Sequence, residues 1–341
     1  MAHIPFTCIP LIDISGLYSP RLADRQAVAD QLGRAARDVG FLQITGHGIA
    51  AQRRAALIEQ AQRFFARPLD QKMRFYIGQS SNHSGYVPEG EEQFVGGSKD
   101  LKEAYDINFD YTDGPQVYPL LGPTQWPDCE AFREAVSAYY REALELGSTL
   151  FRGFALALGL PEDSFAAMTR QPTSQLRMIH YPLDSDPVAD RPGIGAHTDY
   201  ECFTILLPTA EGLQVRNAAG QWIDVPLIDD AFVINIGDML EVLSNGNFTA
   251  TLHRVRKVRE ERFSFPLFCA CDYPTRIAPI AGLAPRGERT YAPVICGDHL
   301  FAQTVQTFAY LRKRLEAGTL QLPDGSLGLS SFGRGQMEVG V

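Results

Sequence analysis

The sequence predicts a mainly β protein with helices: a barrel or jelly-roll core, preceded by a helical region and backed by a C-terminal helix. Two observations lead to this prediction. In the first half of the 341-residue chain, apolar residues recur at helical spacing over long segments. From about residue 174, short runs of strand-forming residues alternate with turn residues, which is typical of barrels and sandwiches.

Three helices are predicted in the first half. Residues 20–38 begin with Ser-Pro and stop at Gly40, and their apolar positions fall on one face. The same kind of pattern predicts a second helix at 50–66 and a third, longer helix at 129–158. This half of the chain is therefore expected to supply the helices that brace the core.

A long segment between the second and third helices, residues 77–100, is rich in Gly, Ser, Asn and Pro. It is too long for a simple connection in a compact domain, which indicates a functional loop. Within it, His83, Tyr86 and Glu89 are candidates for a lid over a substrate. A solvated loop without such a role is the structural alternative.

The second half contains seven strand-like runs separated by turn signals, followed by a helical stretch at 298–315. The length allows about two domains at roughly 150 residues each. We divide the chain into a helical or mixed N-terminal region (1–173), a β core (174–315) and a C-terminal tail (316–341). The predicted strands are QLRMIHY, FTILLP, GLQVR, QWIDVP, AFVINI, TLHRV and RFSFPLFCACDY.

Composition excludes several classes of protein. The formal charge is −9, from 31 basic and 40 acidic residues, whereas proteins that bind nucleic-acid backbones concentrate positive charge. No secretory signal is visible, and the most apolar segment, 154–160, is far shorter than the roughly 20 residues that span a bilayer. The six cysteines are scattered without a CxxC pair. We expect a cytoplasmic protein that binds neither nucleic acid nor membrane; the sequence specifies no oligomeric state.

The residues that indicate a chemistry lie in the predicted β core. His197 and Asp199 are two apart at the end of a loop rich in Gly and Pro, and His253 follows Asp199 by 54 residues in a strand-like run. Two imidazoles and one carboxylate are the ligand set of non-haem Fe(II) oxygenases. This set leaves three octahedral positions for a bidentate 2-oxo acid and for dioxygen. The motif therefore predicts a mononuclear iron site.

A second polar pair begins nine residues after His253. Arg262 and Ser264 are two apart in a predicted strand, so their side chains project to the same face. A guanidinium fork beside a hydroxyl suits a carboxylate, such as the distal carboxylate of 2-oxoglutarate. A salt bridge at the end of the barrel is the structural alternative.

Together these motifs resemble the isopenicillin N synthase-like family of Fe(II)- and 2-oxoglutarate-dependent oxygenases. The stretches IPLIDISGL, ARDVGFLQITGHGI and FFARPLDQKMRF are similar to the family's N-terminal region. The stretches GIGAHTDYECFTIL, FVINIGDMLEVLSNG, TLHRV and ERFSFPLF are similar to its catalytic core. The resemblance runs from about residue 9 to residue 315 and implies a double-stranded β-helix, or jelly-roll, fold.

The resemblance also implies what the site binds. The expected cofactor is Fe(II), the co-substrates are 2-oxoglutarate and O2, and ascorbate is an expected additive in vitro. One departure is the sequence Ile-His-Tyr-Pro at 179–182, where many plant members have Asn-Tyr-Tyr-Pro, so one Asn contact is missing. The implied iron ligands are His197, Asp199 and His253, and the implied 2-oxoglutarate contacts are Arg262, Ser264 and Tyr181.

Three further residues are candidates for contact with the prime substrate. Arg177 precedes Tyr181 by four residues on the same strand face, where it would meet an anionic or amide group; an ordinary ion pair is an equal alternative. Tyr200 directly follows Asp199, and Phe268 shares the inner face with the Arg262 strand positions. His180 is expected on the opposite strand face, and Cys269 and Cys271 on the outer side as core residues.

The leading hypothesis is an oxygenase that hydroxylates an unactivated C–H bond of a small-molecule metabolite and forms succinate and CO2. An alternative is an iron-dependent oxidase or cyclase of the same family that does not use 2-oxoglutarate. In that case Arg262 and Ser264 would hold a carboxylate of the substrate. A third possibility, a jelly-roll binding protein without catalytic metal, has no positive support in the sequence.

Overall fold

The computed structural model describes residues 5–92, 102–111, 118–119, 121–183, 193–256, 260–287, 289–324 and 326. Within this part, strands form the centre and helices pack around them, as the sequence predicts. The helices are α1 (Leu22–Asp38), α2 (Ala51–Phe65), α3 (Leu69–Met73), α4 (Glu130–Ala157), α5 (Asp238–Leu243), α6 (Cys296–Thr307) and α7 (Ala309–Glu316).

The strands form two main sheets of a jelly roll and one small ribbon. The major sheet has the order β1-β2-β10-β7-β12-β5-β4-β3, and the minor sheet has the order β6-β11-β8-β9. Apart from the parallel pair β1 and β2, the pairings in these sheets are antiparallel. The strands are β1 (Leu11–Asp13), β2 (Phe41–Thr45), β3 (Gly85–Val87), β4 (Glu103–Asn108), β5 (Gln175–Tyr181), β6 (Ile194–His197), β7 (Phe203–Pro208), β8 (Leu213–Arg216), β9 (Trp222–Asp224), β10 (Phe232–Ile236), β11 (His253–Val255), β12 (Arg262–Cys269), β13 (Arg276–Ile277) and β14 (Val294–Ile295).

Helix α4 packs on the outer face of the major sheet. Its residues Phe151 and Phe154 contact Phe203 of β7, with ring centroids 4.7 and 5.3 Å apart. Gly147 lies so close to β12 that a Cβ there would be 3.1 Å from Cys269 Sγ. Cys269 is therefore a core residue on the helix-packed side, as predicted, and the opposite face of β12 carries Arg262, Ser264, Pro266 and Phe268.

The N-terminal region contributes strands to the major sheet as well as helices. Strands β1 and β2 extend one edge of the sheet, and β3 and β4 extend the other. The sheet therefore runs across the sequence boundary placed at residue 173. The division into regions 1–173, 174–315 and 316–341 stays a prediction about sequence organisation.

The three predicted N-terminal helices are confirmed within two residues at each end. The helical stretch predicted at 298–315 is also confirmed, but it is divided into two helices at Phe308. Helix α6 ends at Thr307 and α7 starts at Ala309, because Phe308 has an extended backbone with φ −92° and ψ 125°. Phe308 forms a β-bridge with Glu92, and the Ala309 N–H donates to the Glu91 carbonyl at 2.9 Å. These contacts with residues 91–92 replace the helical hydrogen bonds that would continue α6.

Replacing Phe154 by alanine should lower the free energy of unfolding by about 3–5 kcal/mol, because the cavity would lie between α4 and the sheet. Phe154 is fully buried and also contacts Phe248, with ring centroids 5.6 Å apart. Urea unfolding followed by circular dichroism measures the change. Leu22→Ala is the control, since Leu22 is 55% exposed and its loss should change the free energy by less than about 0.5 kcal/mol. Equal effects of the two substitutions would contradict this packing.

Candidate active site

Two histidines face each other across the minor sheet. His253 of β11 is the register partner of His197 of β6, and their ring centroids are 4.2 Å apart. The Nδ1 of His197 lies 2.9 Å from the Gly195 carbonyl oxygen, and the Nδ1 of His253 lies 3.2 Å from that of Thr251. Since a carbonyl only accepts, each Nδ1–H donates and each Nε2 is left with a lone pair, which is the tautomer that a metal ligand needs.

Asp199 joins this pair from the turn after β6. Its Oδ1 lies 3.5 Å from the Nε2 of His197 and 3.5 Å from the Nε2 of His253. Its Oδ2 accepts hydrogen bonds from Asn235 Nδ2 at 2.8 Å and from the Thr204 hydroxyl. One carboxylate oxygen is therefore anchored, and the other points to the space between the imidazoles. One ligand atom from each of the three residues lies within 4.8 Å of the others, a spacing suited to one metal ion.

The charges at this site favour the ligand forms of Asp199 and His253. Burial opposes ionisation of Asp199, but the adjacent imidazoles and the Asn235 amide hold its pKa well below the usual range. Burial and the neighbouring His197 lower the pKa of His253 to about 4. Burial also disfavours a charged His197, but the neighbouring Asp199 carboxylate outweighs this effect and raises the pKa of His197. At neutral pH the site thus contains a carboxylate and a neutral His253, as cation binding requires.

Arg262 places a buried positive charge on the inner face of β12. It is 2% exposed, and it is the register partner of Tyr181 across β12 and β5. Its guanidinium lies 4.9 Å from the centre of the Tyr181 ring and donates to Ser264 Oγ at 2.9 Å. Within the described part of the chain, Arg262 Nε and Nη1 have no hydrogen-bond partner. Burial lowers the pKa of Arg262, so a buried anion that pairs with it would be strongly favoured.

One cavity between the two sheets brings together the predicted metal and co-substrate residues. Arg262 and Ser264 project into it because they are two apart on β12. Phe268 also lines it, on the face that the sequence predicts. The full set of predicted residues on this cavity is His197, Asp199, His253, Arg262, Ser264, Tyr181 and Phe268.

A second pocket adjoins this cavity and shares its metal-side wall. His197, Asp199 and Phe268 line both spaces, and the second pocket continues past Tyr200 and Arg177 to the α6–α7 junction. The structure thus places the three candidate substrate residues, Arg177, Tyr200 and Phe268, around one pocket beside the histidines.

Arg177 is held by carboxylates, so the ion-pair alternative describes it. Its Nε and Nη2 donate to the two oxygens of Asp106 at 2.8 and 2.9 Å, and its Nη1 donates to Glu92 at 2.9 Å. Lys102 Nζ lies 2.8 Å from the same Glu92. This buried cluster of two cations and two carboxylates forms one wall of the second pocket. The guanidinium of Arg177 therefore has carboxylate partners without a substrate.

The lid hypothesis for residues 77–100 is only partly consistent with the structure. Tyr86 is a core residue of β3, and its hydroxyl donates to Glu103 at 2.5 Å, so it does not cover a substrate. His83 does line the second pocket, where its Nδ1 lies 2.7 Å from the Tyr310 hydroxyl. Glu89 is exposed on the surface. Residues 93–100 lie outside the described part of the chain.

Sequence reasoning missed Thr204 and Asn235, the two residues that anchor Asp199. They are register partners on β7 and β10. The signal available was one polar residue inside each of two apolar strands, FTILLP and FVINI. It also missed Glu201, which lines the second pocket two residues after Asp199. Burial and the charge of Asp199 raise the pKa of Glu201 to about 8.

The chain matches known proteins over most of its length. A family model described as the 2OG-Fe(II) oxygenase superfamily matches residues 172–270, and one described as non-haem dioxygenase in morphine synthesis N-terminal matches residues 9–129. The 2-oxoglutarate-Fe(II) type oxidoreductase hxnY of Emericella nidulans is 35% identical over 308 residues, which cover 86% of this chain and 88% of the relative. A homoarginine-6-hydroxylase of Oryza sativa subsp. japonica is 34% identical over 327 residues, covering 89% and 98%.

A solved structure shows the same fold. The Neurospora crassa T7H in complex with alpha-KG and thymine has a TM-score of 0.74 and 25% identity, covering 91% of this chain and 97% of the other. A jelly roll with two histidines and one aspartate around one point defines the class of mononuclear non-haem iron oxygenases. The chain belongs to the superfamily of 2-oxoglutarate- and Fe(II)-dependent oxygenases, and it is an oxidoreductase that uses Fe(II), 2-oxoglutarate and O2. Among the described helices, none has the length and apolarity to cross a membrane.

Replacing Asn235 by alanine should weaken Fe(II) binding by about 10- to 100-fold, because the anchored oxygen of Asp199 loses its amide donor and the carboxylate can rotate. Anaerobic equilibrium dialysis measures the affinity. Asn247→Ala is the matched control, since Asn247 donates to the backbone carbonyls of Ser244 and Ala284, away from the cavity. Unchanged Fe(II) affinity in a folded Asn235→Ala variant would contradict the anchoring role.

Proposed function

We propose that His197, Asp199 and His253 hold the Fe(II) and that the co-substrate enters with its distal carboxylate toward Arg262. The observation that carries this assignment is a buried guanidinium that lacks a carboxylate partner in the described part of the chain and lines the same cavity as the histidines. Ser264 and Tyr181 complete the proposed carboxylate site. Leaving such a cation without an anion is costly, so the cavity suits an anionic ligand.

When bound, Fe(II) and 2-oxoglutarate supply the oxidant for the prime substrate, with succinate and CO2 as coproducts. The protein supplies geometry and charge. The backbone carbonyls of Gly195 and Thr251 orient the imidazoles, and Thr204 and Asn235 orient the carboxylate. Arg262 fixes the far end of the co-substrate, so its reactive end is directed to the imidazole side of the cavity.

We propose that the second pocket takes the prime substrate, a small molecule that is hydroxylated at an unactivated C–H bond. The position of the second pocket supports this proposal, because His197, Asp199 and Phe268 line both that pocket and the co-substrate cavity. Tyr200 and Phe268 would pack on the substrate. Arg177 would act through the carboxylates that it holds, rather than by direct pairing with the substrate.

The oxidase or cyclase alternative has less support than the use of 2-oxoglutarate. The names of the fungal relative hxnY and of the matched superfamily include 2-oxoglutarate, and the Neurospora structure contains alpha-KG. We also propose that the enzyme works in the cytoplasm, since all six cysteines are free thiols. Its net charge of −9 supports a small-molecule partner over nucleic acid.

Replacing Arg262 by leucine should raise the Kd for 2-oxoglutarate on the order of 100-fold, since two or more charge-assisted hydrogen bonds are lost. Anaerobic titration of the Fe(II) protein, followed by its visible charge-transfer absorbance, measures this Kd. His197→Ala should remove the absorbance entirely. Arg254→Leu is the control, because Arg254 pairs with Gln214 and stacks on Trp222 outside the cavity.

The same titration separates the proposed function from the oxidase alternative. If Arg262 holds a substrate carboxylate instead, Arg262→Leu would leave 2-oxoglutarate binding unchanged, and turnover would form no succinate. Succinate formed in equal amount to oxidised product supports the proposal. Its absence during turnover would refute the use of 2-oxoglutarate by this site.

A further inference from the structure

The charged wall of the second pocket is largely neutralised within the protein. Asp106 and Glu92 form ion pairs with the guanidinium of Arg177, and Glu92 also pairs with the Lys102 ammonium at 2.8 Å. Two cations thus face two carboxylates, and these four side chains are each less than a tenth exposed. An acidic substrate would have to compete with Glu92 and Asp106 for both cations.

Glu201 differs from these four side chains. It lines the same pocket and is partly buried. Its carboxyl receives a hydrogen bond from its own backbone N–H. In the described part of the chain, no other residue donates to that carboxyl or forms an ion pair with it. A partly buried carboxyl in a ligand pocket is unfavourable unless it has donors, and an entering molecule is the source of donors that the pocket leaves open.

The backbone around Glu201 is held in place, so the carboxyl is presented from a rigid turn. The Met239 N–H donates to the Glu201 carbonyl at 3.1 Å, and the Gly237 N–H donates to the Cys202 carbonyl at 2.9 Å. A Cβ on Gly237 would lie 2.2 Å from the Glu201 carbonyl oxygen, so only glycine permits this approach. The Asp238 N–H also donates to the Asp199 carbonyl at 2.8 Å, which fixes the backbone two residues before Glu201.

We propose that Glu201 recognises a protonated nitrogen of the prime substrate, as in an alkylammonium, an amidinium or a guanidinium group. This inference rests on the proposed function of the second pocket. A carboxylate forms its strongest hydrogen bonds with charged nitrogen donors, which also offset the cost of burying the negative charge. Because Glu201 lines the same pocket as His197 and Asp199, one small molecule in that pocket can meet both the Glu201 carboxyl and the metal side.

The pocket thereby selects against acids as well as for bases. Asp199 and Glu201 both line the pocket, and the two cations of the pocket wall, Arg177 and Lys102, are paired with carboxylates of the same wall. A substrate with a carboxylate near the oxidised carbon would meet the like charge of Asp199, whereas a cationic nitrogen would meet an acceptor in Glu201. Discrimination of this kind needs both the attractive and the repulsive contact.

Anaerobic titration calorimetry of the Fe(II) and 2-oxoglutarate-loaded protein tests the proposal without turnover. The probes are L-arginine, L-lysine and agmatine as cations, thymine as a neutral compound and indole-3-acetate as an anion. The wild-type protein should bind at least one of the cationic probes more tightly than it binds thymine or indole-3-acetate. Glu201→Gln should raise the Kd of that probe by about tenfold or more, and Glu201→Asp should retain a larger part of the wild-type affinity.

Glu134→Gln is the matched control, since Glu134 is exposed on α4 and should leave probe binding unchanged. Thermal melting shows whether each variant is folded; Glu201→Gln should not lower Tm, because no bond to another described residue is lost. Tightest binding of thymine or indole-3-acetate, no binding of any cationic probe, or equal affinity in wild type and Glu201→Gln would overturn the proposal. Failure to bind Fe(II) and 2-oxoglutarate would instead refute the proposed function itself.

Discussion

The carboxylate of Asp199 joins the two sheets of the jelly roll at the proposed metal site. One oxygen is bound by Thr204 and Asn235 of the major sheet, and the other faces the two imidazoles of the minor sheet. If either sheet moved, the carboxylate would lose its anchor or its position between the imidazoles. The rest of the site is arranged around this single group.

Strand register places the partners of Asp199 and the proposed co-substrate residues. His197 is opposite His253, Thr204 is opposite Asn235, and Tyr181 is opposite Arg262. A slip of one residue would send any of these side chains to the other face of its sheet, so register is as important to the site as residue type. The packing of α4 and the strands of the N-terminal region support this register from outside the cavity. The buried Arg262 also gives the cavity a local positive charge, although the whole chain carries −9.

Much of the fold and the central residues could be predicted from the sequence, because they leave periodic or spaced signals. The spacing of His197, Asp199 and His253 and the two-residue step from Arg262 to Ser264 identify one inner surface. Asn235 could not be assigned, since a polar residue in a strand does not show which group it will meet. The break at Phe308 depends on bonds to residues 91–92, which are distant in sequence. The partners of Arg177 come from two other segments, so the sequence left its ion pair and its substrate contact as equal alternatives.

A crystal structure of the protein grown anaerobically with Fe(II) and 2-oxoglutarate tests the central claim most directly. We expect the metal on the Nε2 atoms of His197 and His253 and on Oδ1 of Asp199. We expect the distal carboxylate of 2-oxoglutarate at Arg262 and Ser264, with the Asp199 anchor unchanged. A metal bound elsewhere, or a co-substrate carboxylate placed at Arg177 and Lys102 while Arg262 stays without an anion, would contradict this account.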